Sequence, residues 1–460
     1  MGAVDAGMSA RIRGVCARGV RADGGGQAPT YRDTSHTASP APVASGAPNV
    51  AAMADAELQD GTTQPEWHRV VVIGGGNGGL AVAGRLRRYG VDDVVVVEPR
   101  DKHVYKPLLS HVAGGTAPAS ITVRPQADVT PKGVEWIRDA ATAVDPEASI
   151  VELASGRRLS YGQLVLCPGM QYEWSQVPGL AEAVSAHDVV SNYELDLAVD
   201  ASAALRDIRS GTVVFVQPAG LGSCLGAGQK PMYQACAYWR ATGVLEQLRV
   251  VLVVADDAVF GIPEIATELE RKIAEYGIEL RTSTELANVD GAGKTIELTR
   301  NGGTERLEYD VLCVEPPQAA PHWLASSGLS AAGDEKGWIE VDHETLRHPR
   351  FPDVWATGDA AGLPSDRSGG ALRKQTAALA KNITAVLRDE EPTSRYNGYT
   401  VCPFTVSRRT VVLAEYDHHG ALKPTIPFWR SMYRESRASW IVDRHIFPWL
   451  YWHFILRGRL

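Results

Sequence analysis

The 460-residue chain has only six cysteines, and no two of them stand in the close spacing of a zinc site or a CxxC redox motif. A disulfide framework is excluded, and any redox pair has to be assembled by folding from distant parts of the chain. Nor is there an excess of positive charge, since 46 Lys and Arg face 54 Asp and Glu, a formal net charge of −8. Without a basic field to attract a polyanion, nucleic acid is not expected as a partner. No uninterrupted apolar run reaches the ~20 residues that a membrane-spanning helix needs. Residues 1–65, rich in Ala, Gly, Ser, Pro and Thr, lack any sustained apolar period. Such a stretch cannot offset its ordering entropy by burial and is expected to be a disordered tail. Arg11, Arg13, Arg18 and Arg21 give it a slight likeness to an organellar presequence. Initiation at Met53 is the preferred expectation.

What the chain does have is glycine, 45 residues, within an ordinary globular composition of 44% hydrophobic and 22% charged residues. That length allows two to three domains. Arg69–Ile73 is a β-branched run suited to a strand buried on both faces. Gly74-Gly75-Gly76-Asn77-Gly78-Gly79 follows at once, and Leu80–Tyr89 then takes a helical period. Between a strand and a helix, the GxGxxG pattern reads as a dinucleotide cradle. Gly74 permits the turn, Gly76 lets backbone approach a pyrophosphate, Gly79 lets the helix pack on the strand, and the helix N-terminus faces the anion. The next strand, Val94–Val97, ends at Glu98, nineteen residues past Gly79, where a carboxylate can accept hydrogen bonds from a ribose.

A second βαβ unit is expected from strands Thr212–Val216 and Arg249–Ala255 and a helix from about Met232 to Leu245. Its turn, Gln217 to Gly226, places Leu225 where a third glycine belongs, so NADH binding there is doubtful, with Asp256 as the conceivable ribose acid. The same turn carries Cys224, whose glycine-rich surroundings and following helix favour a thiolate. Cys167 and Cys313 lie in strand-like apolar runs and Cys236 in a helical one, and all three are expected in the core. Residues 426–460 interleave Phe428, Trp429, Tyr433, Trp440, Phe447, Trp449, Tyr451, Trp452 and Phe454 with six arginines. The apolar run Ile446–Leu456 is too short to cross a bilayer but suits an interfacial anchor on anionic lipid.

Two further segments, Tyr161–Gly169 and Val354–Asp359, resemble strand-then-turn motifs of the two-dinucleotide-binding flavoproteins, in which the last Asp binds the ribitol chain of FAD. Within that superfamily the chain resembles the sulfide:quinone oxidoreductases, in the branch that includes the mitochondrial enzyme, over nearly all of 68–458. Val97–Pro107, Gly133–Ile137, Gly226–Tyr233, Tyr399–Pro403, Phe447–Trp452 and Leu456–Gly458 carry the likeness. The resemblance implies an α/β fold of two Rossmann-like domains and a C-terminal membrane- and quinone-facing region. The expected boundaries are 66–185 and 331–395 for the FAD domain, 186–330 for the second domain and 396–460 for the last region. It implies FAD held by Asn77, Gly78, Glu98, Lys106, Ala141 and Asp359, with Arg367 where the mitochondrial relative has Lys. It also implies a redox pair, Cys224 and Cys402, of which Cys402 holds the persulfide and Cys224 donates to the flavin.

The implied partners are sulfide, a membrane quinone and a small sulfur acceptor: glutathione, sulfite or sulfide. Peripheral attachment to the cytoplasmic face of a bacterial membrane is expected in preference to the mitochondrial matrix side. Two other readings stand beside this one: a type II NADH:quinone dehydrogenase and a thiol-based flavoprotein redox sensor.

Overall fold

The computed structural model describes residues 64–460 apart from Leu221, Leu225, Ser365 and the side chain of Arg430. The expected disordered tail, up to residue 63, and Leu225 lie outside the described residues. The β-branched run behaves as its composition demands: Val70, Val71 and Val72 are fully buried in the strand Glu66–Ile73. Parallel neighbours flank it, Val94–Val97 on one side and Arg158–Leu166 on the other. Glu135–Ile137 extends the sheet beyond the first of these, and Ile150–Leu153 with Ala141–Asp145 extends it beyond the second.

One strand from much later in the chain completes this sheet. Arg158–Leu166 pairs antiparallel with Ile150–Leu153 through its first residues and parallel with Val354–Ala356 through its last. That late insertion places the turn at Asp359 beside the glycine loop that follows Ile73. The helix after the loop runs Asn77–Arg88, three residues earlier than its apolar period shows, because glycine and asparagine fill its first turn.

A second parallel sheet has the order Glu279–Arg281, Leu248–Val254, Gly211–Gln217, Val311–Val314. Its crossover helix is Gln229–Thr242 rather than Met232–Leu245. Pro231 sits in the first turn, where its missing N–H breaks no helical bond, and Gly243 in the left-handed conformation (φ 73°) ends the helix. Before Val311 the chain inserts an antiparallel meander, Glu285–Asp290, Thr295–Arg300 and Gly303–Glu308, unanticipated from sequence although Ile296 and Leu298 alternate with exposed Glu297.

The C-terminal region opens with the hairpin Thr400–Thr405/Val411–Tyr416, in which Cys402 is paired with Ala414. From Arg437 to Ile455 the chain then stays helical, alternating α turns (Arg437–Ile441, Phe447–Leu450) with π turns (Val442–Ile446, Tyr451–Ile455). Pro448 cannot donate to the preceding turn, and the wider π geometry before it absorbs the lost bond. Residues 456–458 pack against the helix Asn77–Arg88, where a Cβ on Gly84 would lie 2.8 Å from the Arg457 carbonyl carbon and one on Gly458 2.2 Å from the Arg85 nitrogen. Both positions need glycine for that backbone contact, which explains the motif Leu456-Arg457-Gly458. Among the described residues no helix is long and apolar enough to cross a membrane.

Candidate active site

One cavity, about 490 Å³ in volume, runs from Gly75–Gly78 and Glu98, past Lys106, Asp359, Arg367 and Cys224, to Trp429, Asp443, Phe447 and Leu450. The glycines at its first end divide by role. Gly74 has φ 99°, and a Cβ there would lie 2.2 Å from the Cys167 carbonyl oxygen; on Gly79 it would lie 1.9 Å from the Gly74 oxygen. These two close the turn and do not line the cavity. Gly76 lines it, and a Cβ there would meet nothing within 4 Å of protein. The space above Gly76 is therefore reserved for something other than this chain. Beside it the buried Asn77 Oδ1 has no partner. Glu98 accepts from Gly75 N–H at 2.8 Å and from Arg100 Nε at 2.8 Å. Burial works to raise its pKa, but Arg100 and the backbone N–H groups hold it below the usual carboxylate value. A glycine cradle, an unpartnered amide oxygen and a fixed carboxylate fit the pyrophosphate and ribose of a dinucleotide.

Further in, Lys106 Nζ donates to Tyr172 Oη at 3.1 Å. Burial of Asp359 raises its pKa, against the pull of Lys106 and Arg367. Arg367 is buried, its guanidinium 3.8 Å from the centre of the Trp338 ring. Ala141 stands apart from all of these: it begins the strand Ala141–Asp145 and does not line the cavity.

Folding brings Cys224 and Cys402 together from 178 residues apart, with 2.9 Å between their sulfurs. Cys224 occupies a left-handed backbone position (φ 61°), uncommon for a residue with a Cβ. Three bonds hold it there: Cys224 N–H to the Arg367 carbonyl (2.7 Å), Ala227 N–H to the Cys224 carbonyl (2.8 Å) and Ser223 N–H to Gln318 Oε1 (2.8 Å). Its open side faces the cavity, whereas Cys402 is 1% exposed and lies behind it. The hydrogen bond with Cys402 pulls the Cys224 thiol down, with the Lys230 ammonium 3.3 Å away adding to the effect. Burial, reinforced by the neighbouring sulfur, pushes Cys402 well up. Cys224, the sulfur that Lys230 faces, is thus the more readily ionised of the two.

Lys230 was not singled out from the sequence as a site residue. It is the second residue of the crossover helix, and only the earlier start of that helix turns it onto Cys224. Two buried acids also escaped notice. Glu315, after the last strand of the second sheet, is pushed up to about 8 by burial, and Asp366, which accepts from Tyr416 Oη, is pushed up to about 7 by burial and the Cys224 charge. Glu315 follows an apolar strand and Asp366 lies in a polar loop, and neither stands out because its chemistry arises only from what it faces after folding. Cys236 and Cys313 are core residues, while Cys167 is buried at the cavity wall.

A family model described as pyridine nucleotide-disulphide oxidoreductase matches residues 68–382. With the mixed first sheet, the parallel second sheet and the glycine cradle, this defines the class: an FAD-dependent oxidoreductase of the two-dinucleotide-fold type. The mitochondrial sulfide:quinone oxidoreductase of Mus musculus is 32% identical over 400 residues, covering 86% of this chain and 88% of that protein. Its counterpart in Dictyostelium discoideum is 30% identical over 394 residues, covering 85% and 86%. Among solved structures, the sulfide:quinone oxidoreductase of Aquifex aeolicus shares the fold with a TM-score of 0.72 at 19% identity, covering 85% of this chain and 92% of that one. The chain belongs to the sulfide:quinone oxidoreductase family.

Two outcomes are expected from this geometry. Gly76→Val should fold yet purify without yellow colour, because its side chain enters the empty space above the loop, whereas Gly79→Val should fail to fold. Full flavin occupancy in Gly76→Val would count against the cradle. Lys230→Met should raise the pH at which Cys224 ionises, since removing the adjacent cation disfavours the thiolate. Thiolate absorbance followed against pH should move to higher pH; an unmoved curve contradicts the ion pair.

Proposed function

We propose that the chain oxidises sulfide to sulfane sulfur through Cys224 and Cys402 and passes the two electrons to a membrane quinone. The observation that carries this reading is the sulfur pair itself, with Cys224 facing the cavity and its partner behind it. In the oxidised state the two sulfurs are bonded. Hydrosulfide attacks the Cys402 sulfur, breaking that bond and leaving a persulfide on Cys402 and a thiolate on Cys224. A small nucleophile, glutathione, sulfite or a second sulfide, attacks the outer sulfur and departs with it. Cys402 leaves as thiolate and rejoins Cys224, and re-forming the bond releases two electrons. FAD, when bound, accepts such a pair and returns it to a quinone.

The protein's part is to place and charge these groups. Lys230 keeps Cys224 ionised, the bonds to Arg367 and Gln318 hold its loop, and the burial of Cys402 protects the persulfide from bulk solvent. Gly76, Asn77, Gly78 and Glu98 are assigned to the dinucleotide end of FAD, and Lys106, Asp359 and Arg367 to its flavin end. Gly74 and Gly79 act by closing the turn. Ala141, which stands outside the cavity, is assigned no side-chain contact.

Residues 66–185 and 331–395 are read as the FAD domain, 186–330 as the second domain and 396–460 as the quinone end. At that end Phe428 is 90% exposed and Trp449 54%, with Ile426, Ile441 and Ile446 also exposed. Their chain neighbours Trp429, Phe447 and Leu450 line the cavity, so a lipid-soluble quinone has an apolar way in from a surface that these side chains enter. That surface supports peripheral attachment to lipid, and the cytoplasmic face of a bacterial membrane is the location proposed. Against an NADH dehydrogenase, the loop that would cradle NADH pyrophosphate is tied to Arg367 and given over to Cys224.

Anaerobic sulfide should bleach the flavin of the purified protein within turnover time, and NADH should not. Rapid bleaching by NADH alone would favour the dehydrogenase. Cys224→Ser and Cys402→Ser should each abolish sulfide-dependent quinone reduction with FAD retained, while Cys236→Ser, a core change, should preserve it. Normal turnover in either of the first two sinks the two-sulfur scheme.

A further inference from the structure

The wall of the cavity on the C-terminal side holds a second polar assembly that the sulfur chemistry does not use. His111 is almost fully buried, its side chain 2% exposed, and its Nε2 lies 3.0 Å from Oδ2 of Asp443, whose side chain is 13% exposed and lines the cavity. Its Nδ1 lies 2.9 Å from Thr116 Oγ1. Thr116 contacts Gln234 Oε1, and Gln234 Nε2 donates to the carbonyls of Ser110 (3.0 Å) and Lys230 (3.2 Å).

These contacts fix where the protons are. Two carbonyl acceptors determine that the nitrogen of the Gln234 amide faces them, so its oxygen faces Thr116 and can only accept. The single Thr116 hydroxyl hydrogen has two acceptors in reach, that oxygen at 2.5 Å and the His111 carbonyl at 3.2 Å, and either choice leaves a Thr116 lone pair toward His111 Nδ1. Nδ1 must therefore carry a hydrogen and donate it. In a neutral imidazole Nε2 is then a bare lone pair, and at 3.0 Å it faces an oxygen of Asp443 that, as a carboxylate, is another bare lone pair. Two acceptors do not rest at hydrogen-bond distance. One extra proton lies between them, on Nε2 or on Oδ2, at the edge of the cavity.

We propose that Asp443, with His111 as its positioning residue, is the group that protonates the quinone as it is reduced. This rests on the reading above that a quinone enters the cavity between the sulfur pair and the C-terminal helix. Reduction of a quinone to the quinol takes two electrons and two protons. The electrons come from sulfide. One proton passes from the pair to one quinone oxygen, the other from solvent water to the second oxygen. The pair is left as a carboxylate against an unprotonated Nε2, a repulsive contact that favours recapture of a proton from solvent through the exposed edge of Asp443. The other ionisable or polar groups that face the pair are Lys230 from the crossover helix, Cys224 from its loop, Tyr105, Thr405 from the hairpin, and Arg444 and His445 from its own helix.

The test separates the half-reactions of the FAD-loaded protein. With flavin reduced by light, Asp443→Asn should be reoxidised by a water-soluble ubiquinone at least tenfold more slowly than wild type, and ferricenium, which takes electrons and no proton, should reoxidise both alike. His111→Leu, which removes the partner that holds Asp443 and its proton, should slow reoxidation by the quinone as Asp443→Asn does and leave reoxidation by ferricenium unchanged. Equal slowing with both acceptors, or an unchanged rate with the quinone, overturns the proposal. Because light replaces sulfide in this experiment, failure of sulfide to bleach the flavin would sink the proposed function by itself without altering this result. A readout independent of turnover is nitrogen NMR of ring-labelled histidine: His111 Nδ1 should stay protonated across the pH range, and an unprotonated Nδ1 contradicts the proton assignment.

Discussion

A thiolate set beside a second sulfur and closed off from bulk water needs a cation, and the arrangement of this site follows from that need. Burial disfavours a charged sulfur. Lys230 answers it at 3.3 Å, and its own ammonium, which burial would push down, is held up by Cys224, Cys402 and Asp443. The helix that carries Lys230 has to begin immediately after the Cys224 loop for the two to meet, and Pro231 in its first turn is compatible with that start. The positive φ at Cys224 is the strained consequence, maintained by the bond to the Arg367 carbonyl. Arg367 in turn lies just beyond the late strand Val354–Ala356, so the cysteine loop of one sheet is fastened to the return segment of the other.

The same economy of position governs the far end. The C-terminal helix bears Asp443 and Phe447 on the cavity and exposed Trp449 only two residues further, so a single element forms both a wall of the cavity and an exposed apolar surface. It is anchored to the segment Lys102–Tyr105 by the contact of His103 Nε2 with Tyr451 Oη at 2.5 Å and by the tilted Tyr105 and Tyr451 rings, and to the helix Asn77–Arg88 by the glycine contact between Gly84 and Gly458. Movement of the exposed aromatic segment is therefore resisted from the side where that helix lies.

The parts of this site that could be read from sequence are those whose meaning is local. A β-branched run, six residues of turn and an acid nineteen residues on define a dinucleotide cradle whatever surrounds them, and Gly76 and Glu98 stand where that logic puts them. Cys224 was visible as a thiol in a glycine-rich turn, but its partner came only from family resemblance, because no spacing encodes a contact across 178 residues. Ala141, placed by resemblance as well, lies outside the cavity. Lys230 precedes Met232, where the sequence reading begins the helix, and its place beside Cys224 appears only with the start at Gln229. His111 and Asp443, 332 residues apart, each look like an ordinary polar residue in an apolar stretch. The C-terminal helix was hidden by Pro448 and by its π turns, which blur the 3.6-residue period.

The central claim, that the two cysteines divide the labour of sulfur and electron transfer, can be read directly by mass. The FAD-loaded protein with its pair oxidised should be mixed anaerobically with one equivalent of sulfide, quenched with an alkylating agent and digested. One additional sulfur is expected on the peptide that contains Cys402, with Cys224 alkylated as a simple thiol. An additional sulfur on Cys224, or on neither cysteine, would contradict the account.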